Sequence, residues 1–434
     1  MTGAPLPLLT RTRRFLGVAS MVLAIYCRYK GRQVLGLLTG RRHRHDWYDG
    51  CHHASALRLR NTALAMEGLL IKACQFAGSR ADVLPPAWIE ILSELHDRVP
   101  PRPFTEMKPW LEQQLGKTLE QAYASFDTQP IAAASLAQVY RATLHDGTPV
   151  AVKVQYPGID RVIATDIANF GFFVRLLARI ERSFDLRVLL SEIATYVPLE
   201  LDFVNEAANA RKFRDNFADD PGVEFPEPIE ELTCRTVLTM HFMEGVKPTD
   251  LEALKRLGID PHEVAERLVR CYLVQILKHG FFHADPHPGN LLVRPGPVLV
   301  LLDLGLAREF TPEKRKSAAR LAAAVVADDP ARVASAFREL GFETRDQDDE
   351  VFATIAELML GQALASGRAY ADPAMVERIN DELWHALRGN PIVKAGSDLL
   401  LVLRVMGLLS GLGKQLDSQV DPVKAMVPFL VGLE

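Results

Sequence analysis

The chain has 434 residues, of which 48% are hydrophobic and 24% are charged. That composition excludes a disordered protein and allows two or three domain-sized units. The formal net charge of -4 gives no reason to expect nucleic acid as a partner. The five cysteines are scattered and form no CxxC pair, which favours reduced thiols, a cytoplasmic location and no zinc site.

The first 45 residues carry nine basic side chains and no acidic one. Within them, Phe15–Cys27 is apolar for thirteen residues, which is too short to span a bilayer alone. Two interpretations stay open. One is peripheral attachment to an anionic membrane surface, on the inner face of the membrane, and the other is a helix packed on the main body with solvated arginines. Leu399–Leu412 is apolar apart from Arg404 and Ser410 and is also too short to span.

Helical periodicity predicts one helix over Asn61–Gln75 and a second over Trp88–Asp97. The proline-rich segment Arg98–Phe104 is predicted to be a stiff, extended linker. A further helix is predicted over Trp110–Tyr123.

An alanine-rich segment at 132–140 leads into a hairpin with a turn at His145–Gly147 and a strand at Pro149–Val154. Three alanines stand where the nucleotide loop of a kinase has glycines, and Lys153 occupies the lysine position of a V-A-x-K strand. Alanine restricts dihedral angles that glycine leaves open, so we expect a stiff loop whose methyl groups crowd the phosphates. The alternative for such a run is plain helix. The residues predicted to bind nucleotide are Ala132, Ala134, Ser135, Ala137, Val139, Lys153 and Glu244.

Amphipathic helices are predicted over Ile159–Arg182 and Leu186–Tyr196, and another that opens at Leu199 and runs to about Phe217. A kinase pairs its strand lysine with a glutamate on a helix. Glu200 and Glu206 are both candidates, and the alternative for either is a solvated acidic face.

Thr236–Phe242 is predicted to be a strand, followed by a hinge at Met243–Gly245. His262–His279 is predicted to be a helix that enters the segment His283–Asn290.

Polar residues lie at both ends of an apolar hairpin whose strands are predicted at Leu291–Val293 and Val298–Leu302. Their layout is that of a kinase catalytic loop and metal-binding turn. Asp285 can accept a hydroxyl proton, while Asn290 and Asp303 can bind magnesium through hard oxygen atoms. The alternative is an ordinary hairpin with Asn and Asp at its turns.

In this order, the motifs resemble those of the UbiB/ADCK (AarF-type) family of atypical protein-kinase-like proteins, over roughly residues 60–310. The KxGQ segment of that family appears as Lys72–Gln75, with Cys74 in place of its glycine. The ExD motif appears as Glu200–Asp202, and Leu304 replaces the phenylalanine of the DFG turn.

The resemblance implies an α+β, two-lobed protein-kinase-like fold with an added N-terminal helical layer. It implies pairing of Lys72 with Glu200 and of Lys153 with Glu206, with ATP and Mg2+ as cofactors. The catalytic residues it implies are Asp285, Lys153 and Glu206, the metal ligands are Asn290 and Asp303, and the regulatory residues are Lys72, Gln75, Glu200 and Asp202.

Four segments are expected on this basis. They are a basic N-terminal segment (1–45), a helical extension (46–125), a kinase-like N-lobe with a helical insert (126–245) and a mostly helical C-lobe (246–434).

Three functions are compatible with these residues. The first is a magnesium-dependent ATPase, or a phosphotransferase for a small molecule or lipid, that supports isoprenoid quinone biosynthesis with quinone-pathway proteins or lipids as partners. The second is a nucleotide-sensing membrane scaffold with weak catalysis, and the third is a conventional protein kinase. The third is disfavoured because Leu306–Phe310 runs straight into a helix-forming stretch with no A-P-E segment.

Overall fold

The computed structural model describes residues 6–40, 45–78, 84–96, 101–180, 187–327, 329–344, 352, 392–394, 397–418 and 420–430. The chain divides into two compact units of mixed helix and sheet. Unit 1 comprises Met1–Ala207 and Glu227–Phe242, and unit 2 comprises Ala208–Pro226 and Met243–Glu434.

Unit 1 begins with a helical layer. Its helices are α1 (Leu8–Leu38), α2 (Asp49–Met66), α3 (Leu69–Gly78), α4 (Pro86–Ser93), α5 (Phe104–Leu115) and α6 (Leu119–Ala122). Three helices follow the first strands of the sheet: α7 (Ile159–Ile180), α8 (Arg187–Glu200) and α9 (Phe203–Asn216), the last of which continues into unit 2.

The sheet of unit 1 has five strands and is antiparallel. Its strands are β1 (Ser125–Phe126), β2 (Ala132–Ala133), β3 (Ala137–Thr143), β4 (Pro149–Gln155) and β6 (Val237–His241). The predicted hairpin is confirmed, since β3 pairs with β4 and Val139 lies opposite Lys153.

The two faces of β4 pack against different residues because side chains alternate along a strand. Val150, Val152 and Val154 are fully buried in a core shared with α5 and α6. Ala151 lies in a separate apolar cluster on the other face. Lys153 has the same parity as Ala151 and therefore shares that face.

Three helix predictions in unit 1 are wrong in their boundaries. Asn61–Gln75 is not one helix, because Glu67 and Gly68 have positive φ angles of 54° and 66° and separate α2 from α3. The helix predicted from Trp110 begins instead at Phe104, directly after Pro103, and ends at Gly116 in a left-handed conformation. Residues 98–100 of the predicted linker, and residue 97 of the helix predicted before it, lie outside the described residues.

The third error concerns the helix predicted to open at Leu199. Glu200 is instead the last residue of α8, and α9 begins at Phe203. Asp202 lies in the break and accepts hydrogen bonds from the backbone N–H groups of Val204 and Asn205 at 3.1 and 3.3 Å. These bonds satisfy donors that a helix start leaves without partners, so α9 begins where Asp202 caps it.

Unit 2 contains short strands and mainly helices. The strands are β5 (Val223–Glu224), β7 (Phe281–His283), β8 (Leu291–Arg294), β9 (Val298–Leu301), β10 (Ala307–Glu309), β11 (Glu343–Thr344) and β12 (Ile392–Lys394). The helices are α10 (Leu251–Arg256), α11 (Pro261–Leu273), α12 (Pro312–Val326), α13 (Pro330–Glu339), α14 (Ser397–Gln415) and α15 (Pro422–Leu430).

The predicted β8–β9 hairpin is confirmed and forms a three-stranded sheet in the order β5-β9-β8. The helix predicted over His262–His279 consists of α11 and a π-helical turn at Val274–His279. No helix in the described part of the chain is long and apolar enough to cross a membrane.

Candidate functional site

Lys153 and Glu206 form an ion pair in unit 1. Lys153 Nζ lies 2.8 Å from Glu206 Oε1 and 2.9 Å from Oε2, and the glutamate side chain is only 3% exposed. A buried charge pair of this kind stabilises a fold poorly, because desolvation offsets the attraction between the charges. Of the two glutamates that the sequence offered as partners of Lys153, the structure selects Glu206.

Gln155 fixes the segment that joins α8 to α9. It lies two residues after Lys153 on β4, and so on the same face of the strand. Its Nε2 donates to the carbonyl oxygens of Leu201 and Arg235 at 2.9 and 3.2 Å, and the side chain is 2% exposed. This role of Gln155 was not predicted, although the sequence places a glutamine at the end of an apolar strand.

Lys72 and Glu200 form a second ion pair in unit 1, as the family resemblance implies. Lys72 Nζ of α3 lies 2.7 Å from Glu200 Oε2 at the end of α8, with side chains 21% and 16% exposed. Gln75 lies on α3, but its side chain is outside the described residues. Cys74 is a free thiol in the core of the helical layer, and burial raises its pKa far above the usual value.

The start of α3 is held by a charge pair between α1 and α7. The Arg14 guanidinium donates to both carboxylate oxygens of Asp166, through Nε at 2.7 Å and Nη2 at 2.5 Å. It also donates to the carbonyl oxygens of Met66 (2.7 Å) and Glu67 (3.4 Å). Asp166 in turn accepts a hydrogen bond from the backbone of Leu69, the first residue of α3. We call these groups the Arg14 node.

Tyr156 holds the tip of the alanine-rich loop through two hydrogen bonds. The Tyr156 hydroxyl donates to the carbonyl oxygen of Ala134 at 3.1 Å, and its backbone N–H donates to Leu136 O at 3.0 Å. Burial raises the pKa of Tyr156 to about 12. None of the loop alanines has a positive φ. The loop is therefore held without glycine geometry.

Gln138, which follows Ala137 in the sequence, connects the alanine-rich loop to Arg102 in the linker before α5. Its Oε1 accepts from the backbone N–H of Arg102 at 2.9 Å, and its Nε2 donates to Arg102 O at 3.2 Å. The Arg102 guanidinium in turn lies 4.6 Å from the centre of the Tyr156 ring. Among the predicted nucleotide-binding residues, Ala132 and Ala134 are exposed, while Ser135 and Ala137 are buried and Val139 is half-buried.

Unit 2 brings together the other predicted site residues at the base of the β8–β9 hairpin. Asn290 Nδ2 donates to Asp285 O at 3.4 Å. The carbonyl oxygen of Asn290 accepts from the backbone N–H of Leu302, next to Asp303, at 2.9 Å. Asp303 Oδ1 accepts from the backbone N–H of Gly305 at 3.3 Å. The turn is thus held by one backbone–backbone hydrogen bond and two bonds between a side chain and the backbone.

Tyr272 and Gln275, which were not predicted from the sequence, position β7, the strand before this turn. His283 is fully buried, and its backbone N–H donates to Gln275 Oε1 at 2.9 Å, while its Nδ1 lies 3.1 Å from the Tyr272 hydroxyl. Gln275 belongs to the π-helical turn, a distortion that is frequent at functional sites. A glutamine beside Ile276 on an apolar helix face was the available signal.

Asn290 and Asp303 fit the preferences of magnesium. Mg2+ is bound by oxygen atoms, in many sites through one or two protein ligands together with phosphates. Asn290 uses its nitrogen for Asp285, so its Oδ1 is the atom suited to a cation. Among the described residues, no group of three or more His, Cys, Asp or Glu side chains forms a metal cluster. A two-residue set of this kind would need waters or phosphate oxygens to complete the coordination of Mg2+.

Glu244 is exposed in the irregular segment between β6 and α10. A groove of about 920 Å³ lies elsewhere in unit 2, between α11, residues 216–222, the β8–β9 turn and Phe429. It contains none of the predicted site residues.

Comparison with known proteins identifies the class. Residues 94–337 match the model of the ABC1 atypical kinase-like domain. The chain is 32% identical, over 374 residues, to the Arabidopsis thaliana chloroplast protein named Activity of bc1 complex kinase 7, covering 86% of this chain and 53% of that protein. It is 37% identical, over 295 residues, to AarF domain-containing protein kinase 1 of Xenopus tropicalis, covering 67% and 56%.

The fold is an α+β, protein-kinase-like fold, as in the atypical kinase-like domain that matches. The chain belongs to the ABC1 atypical kinase-like family, which is the UbiB/ADCK family. An uncharacterized Synechocystis protein, sll1770, is 30% identical over 375 residues, covering 86% of this chain and 63% of that protein. The chain thus spans between about half and two thirds of the length of these curated relatives.

A solved structure supports the fold. The complex of Rv3197 of Mycobacterium tuberculosis with erythromycin matches with a TM-score of 0.58 and 23% sequence identity. The match covers 83% of this chain and 90% of that one.

Proposed function

We propose that the protein binds ATP with Mg2+ and either hydrolyses it or transfers its phosphoryl group to a small molecule or lipid. The observation that carries the proposal is the buried contact of Lys153 with both oxygens of Glu206. Such a pair costs desolvation free energy without a clear gain in stability, which points to a role beyond the fold. In kinases, this pair positions the lysine toward the nucleotide phosphates.

The chemistry of each residue in unit 1 indicates its role in the proposed reaction. Lys153 would neutralise phosphate charge, and Glu206 would keep the ammonium group in place. The apolar cluster around Ala151, Leu238 and Met240 lies on the same face of the sheet and suits the adenine ring.

In unit 2, Asn290 and Asp303 would hold the metal ion, which supplies charge neutralisation for the phosphates when bound. Asp285 would accept the proton of the attacking hydroxyl or water at its carboxylate.

The biological role that we propose is support of isoprenoid quinone biosynthesis, together with quinone-pathway proteins or lipids. The support for this role is membership of the UbiB/ADCK family. Comparing the quinone content of cells with and without the gene tests it, and equal content under quinone-dependent growth would contradict it.

A second candidate is a nucleotide-sensing scaffold with little turnover. Two observations favour it: Lys72 is bound to Glu200 at 2.7 Å, and the alanine-rich loop is tied to Tyr156. Phosphoryl transfer requires a nucleotide-covering loop to open and close, and hydrogen bonds of this kind oppose that movement.

The test of the enzyme proposal is the substitution Asp303→Asn. Removing a charged metal ligand should lower magnesium-dependent phosphate release by about a hundredfold or more, since phosphoryl transfer depends on electrostatic stabilisation. Phosphate release is measured on the purified chain, with nucleotide binding followed separately by calorimetry. The matched control is Asp146→Asn, another aspartate that accepts a backbone N–H two residues later, at 2.9 Å from Thr148.

The outcomes separate the candidates. Loss of turnover in Asp303→Asn with normal turnover in Asp146→Asn supports the enzyme. Equal turnover in both variants and the unmodified protein removes Asp303 from the reaction. Negligible turnover of the unmodified protein, with and without anionic vesicles but with intact ATP binding, supports the scaffold. Phosphorylation of a protein in trans would instead support a conventional kinase.

A further inference from the structure

Asn209 joins helix α9 to the turn that carries Asp303. Its Nδ2 donates a hydrogen bond to the carbonyl oxygen of Leu304 at 2.9 Å, across 95 residues of sequence. Asn209 is half-buried, Leu304 is 1% exposed, and both residues belong to unit 2. Asparagine has low helix propensity. Its presence inside α9 is therefore accounted for by this contact rather than by helix formation.

The Leu304 carbonyl and the Gly305 N–H belong to the same peptide group. The carbonyl accepts from Asn209, while the N–H donates to Asp303 Oδ1 at 3.3 Å. A trans peptide group is planar, and its C=O and N–H point in opposite directions. Holding the carbonyl at Asn209 consequently fixes the direction of the N–H that orients the Asp303 carboxylate.

The Leu304–Gly305 peptide needs such a contact because of its place in the chain. Directly after it, the carbonyl oxygen of Leu306 accepts from the backbone N–H of Ala284 at 2.8 Å, which fixes the chain as it enters β10. Glycine leaves open backbone rotations that other residues restrict, so the peptide before this point can rotate. The Asn209 side chain, which comes from another element, opposes that rotation.

We propose that Asn209 is a positioning residue for Mg2+, acting through the Leu304–Gly305 peptide and Asp303. This inference rests on the proposed function, in which Asp303 is a ligand of the metal ion. Hydrogen-bond partners that orient a metal ligand contribute roughly ten- to a hundredfold to metal affinity or activity. Asn209 is not a ligand in this arrangement, since its amide group holds the peptide that orients the ligand.

The test is the substitution Asn209→Leu, which removes the donor and introduces no charge. Binding of ATP to the purified chain is measured by calorimetry in EDTA and at a series of Mg2+ concentrations. The Mg2+ concentration that gives half of the metal-dependent gain in ATP affinity should rise by about tenfold or more. The ATP affinity in EDTA should not change, because the metal ion takes no part in that measurement.

The matched control is Asn216→Leu, at the last residue of α9, where the side chain is also half-buried. Its response to Mg2+ should equal that of the unmodified chain. Circular dichroism and thermal midpoints show that each variant is folded.

A double variant tests whether Asn209 acts through Asp303. Asn209→Leu is combined with Asp303→Asn, and the response to Mg2+ is compared with that of each single variant. Two changes that act through the same group are not additive. Asn209→Leu should therefore add nothing to the loss that Asp303→Asn causes alone.

The outcomes separate this inference from the proposed function. A response to Mg2+ that depends on Asp303 but is unchanged in Asn209→Leu would overturn the inference and leave the proposed metal site in place. Additive losses in the double variant, or an equal loss of ATP affinity in EDTA, would overturn it as well, because Asn209 would then act on the fold in general. No response to Mg2+ in the unmodified chain would overturn the proposed metal site and the inference together.

Discussion

Glu67, between α2 and α3, has a backbone conformation that is strained for a residue other than glycine. Its φ of 54° and ψ of -170° fall near a region that is essentially restricted to glycine and costs about 1–3 kcal/mol for other residues. The conformation lies between α2 and α3, and the carbonyl oxygens of Met66 and Glu67 accept hydrogen bonds from Arg14. The strain is thus held in place by the node that fixes the start of α3.

We therefore expect Glu67→Gly to stabilise the protein. Relief of strain should exceed both the entropic cost of glycine and the loss of the exposed Arg102–Glu67 ion pair, for a net gain of about 1 kcal/mol. The control is Glu266→Gly, an exposed glutamate inside α11, which should lose about 1 kcal/mol. Urea unfolding of both variants measures the difference, and a loss of stability in Glu67→Gly would show that the backbone there is unstrained.

Helices α1, α3 and α7 depend on one another through the Arg14 node. Asp166 is 3% exposed, and burial raises its pKa, against the lowering effects of Arg14 and the Leu69 backbone. The pair lies at the N-terminus of α3, three residues before Lys72. The helix that carries Lys72 is consequently anchored by residues from two other helices.

Arg14→Met should destabilise the fold by about 3–5 kcal/mol at neutral pH, because it leaves a buried carboxylate without its cation. The folded-state pKa of Asp166 lies above its unfolded value and should rise further in this variant. The fold therefore gains stability from this group as pH falls and loses it as pH rises through the folded pKa. The destabilisation should then be smaller at acidic pH.

Denaturant unfolding at several pH values provides the measurement. Adding Asp166→Asn to Arg14→Met should recover part of the lost stability and remove the extra pH dependence. A penalty that stays constant with pH would show that Asp166 is not the titrating group.

At the scale of the whole molecule, the sequence predicted the motif-bearing elements best. The β3–β4 and β8–β9 hairpins follow from strand alternation and turn residues, and Lys153 was assigned from its strand context. The residue pattern alone left the choice between Glu200 and Glu206 open, because it depends on where Asp202 ends one helix and caps the next. Helix propensity does not encode such a break. The family resemblance was what pointed to Glu206.

Other features depend on tertiary contacts that no local pattern reveals. The break at Glu67 needs a positive φ at a residue with good helix propensity, which Asn61–Gln75 gave no reason to expect. Gln155 and Gln275 act through hydrogen bonds to backbone far along the chain. The roles of Asp285, Asn290 and Asp303 in a reaction remain predictions.

The position of Cys74 supplies a built-in reporter of motion in the helix that carries Lys72. A thiol that is buried and kept protonated does not react with alkylating reagents, whereas exposed Cys27 should react at once. The modification rate of Cys74 would then measure how often α3 separates from its neighbours. If nucleotide or lipid acts by freeing Lys72, labelling of Cys74 should accelerate with that ligand while labelling of Cys271, buried in unit 2, does not change.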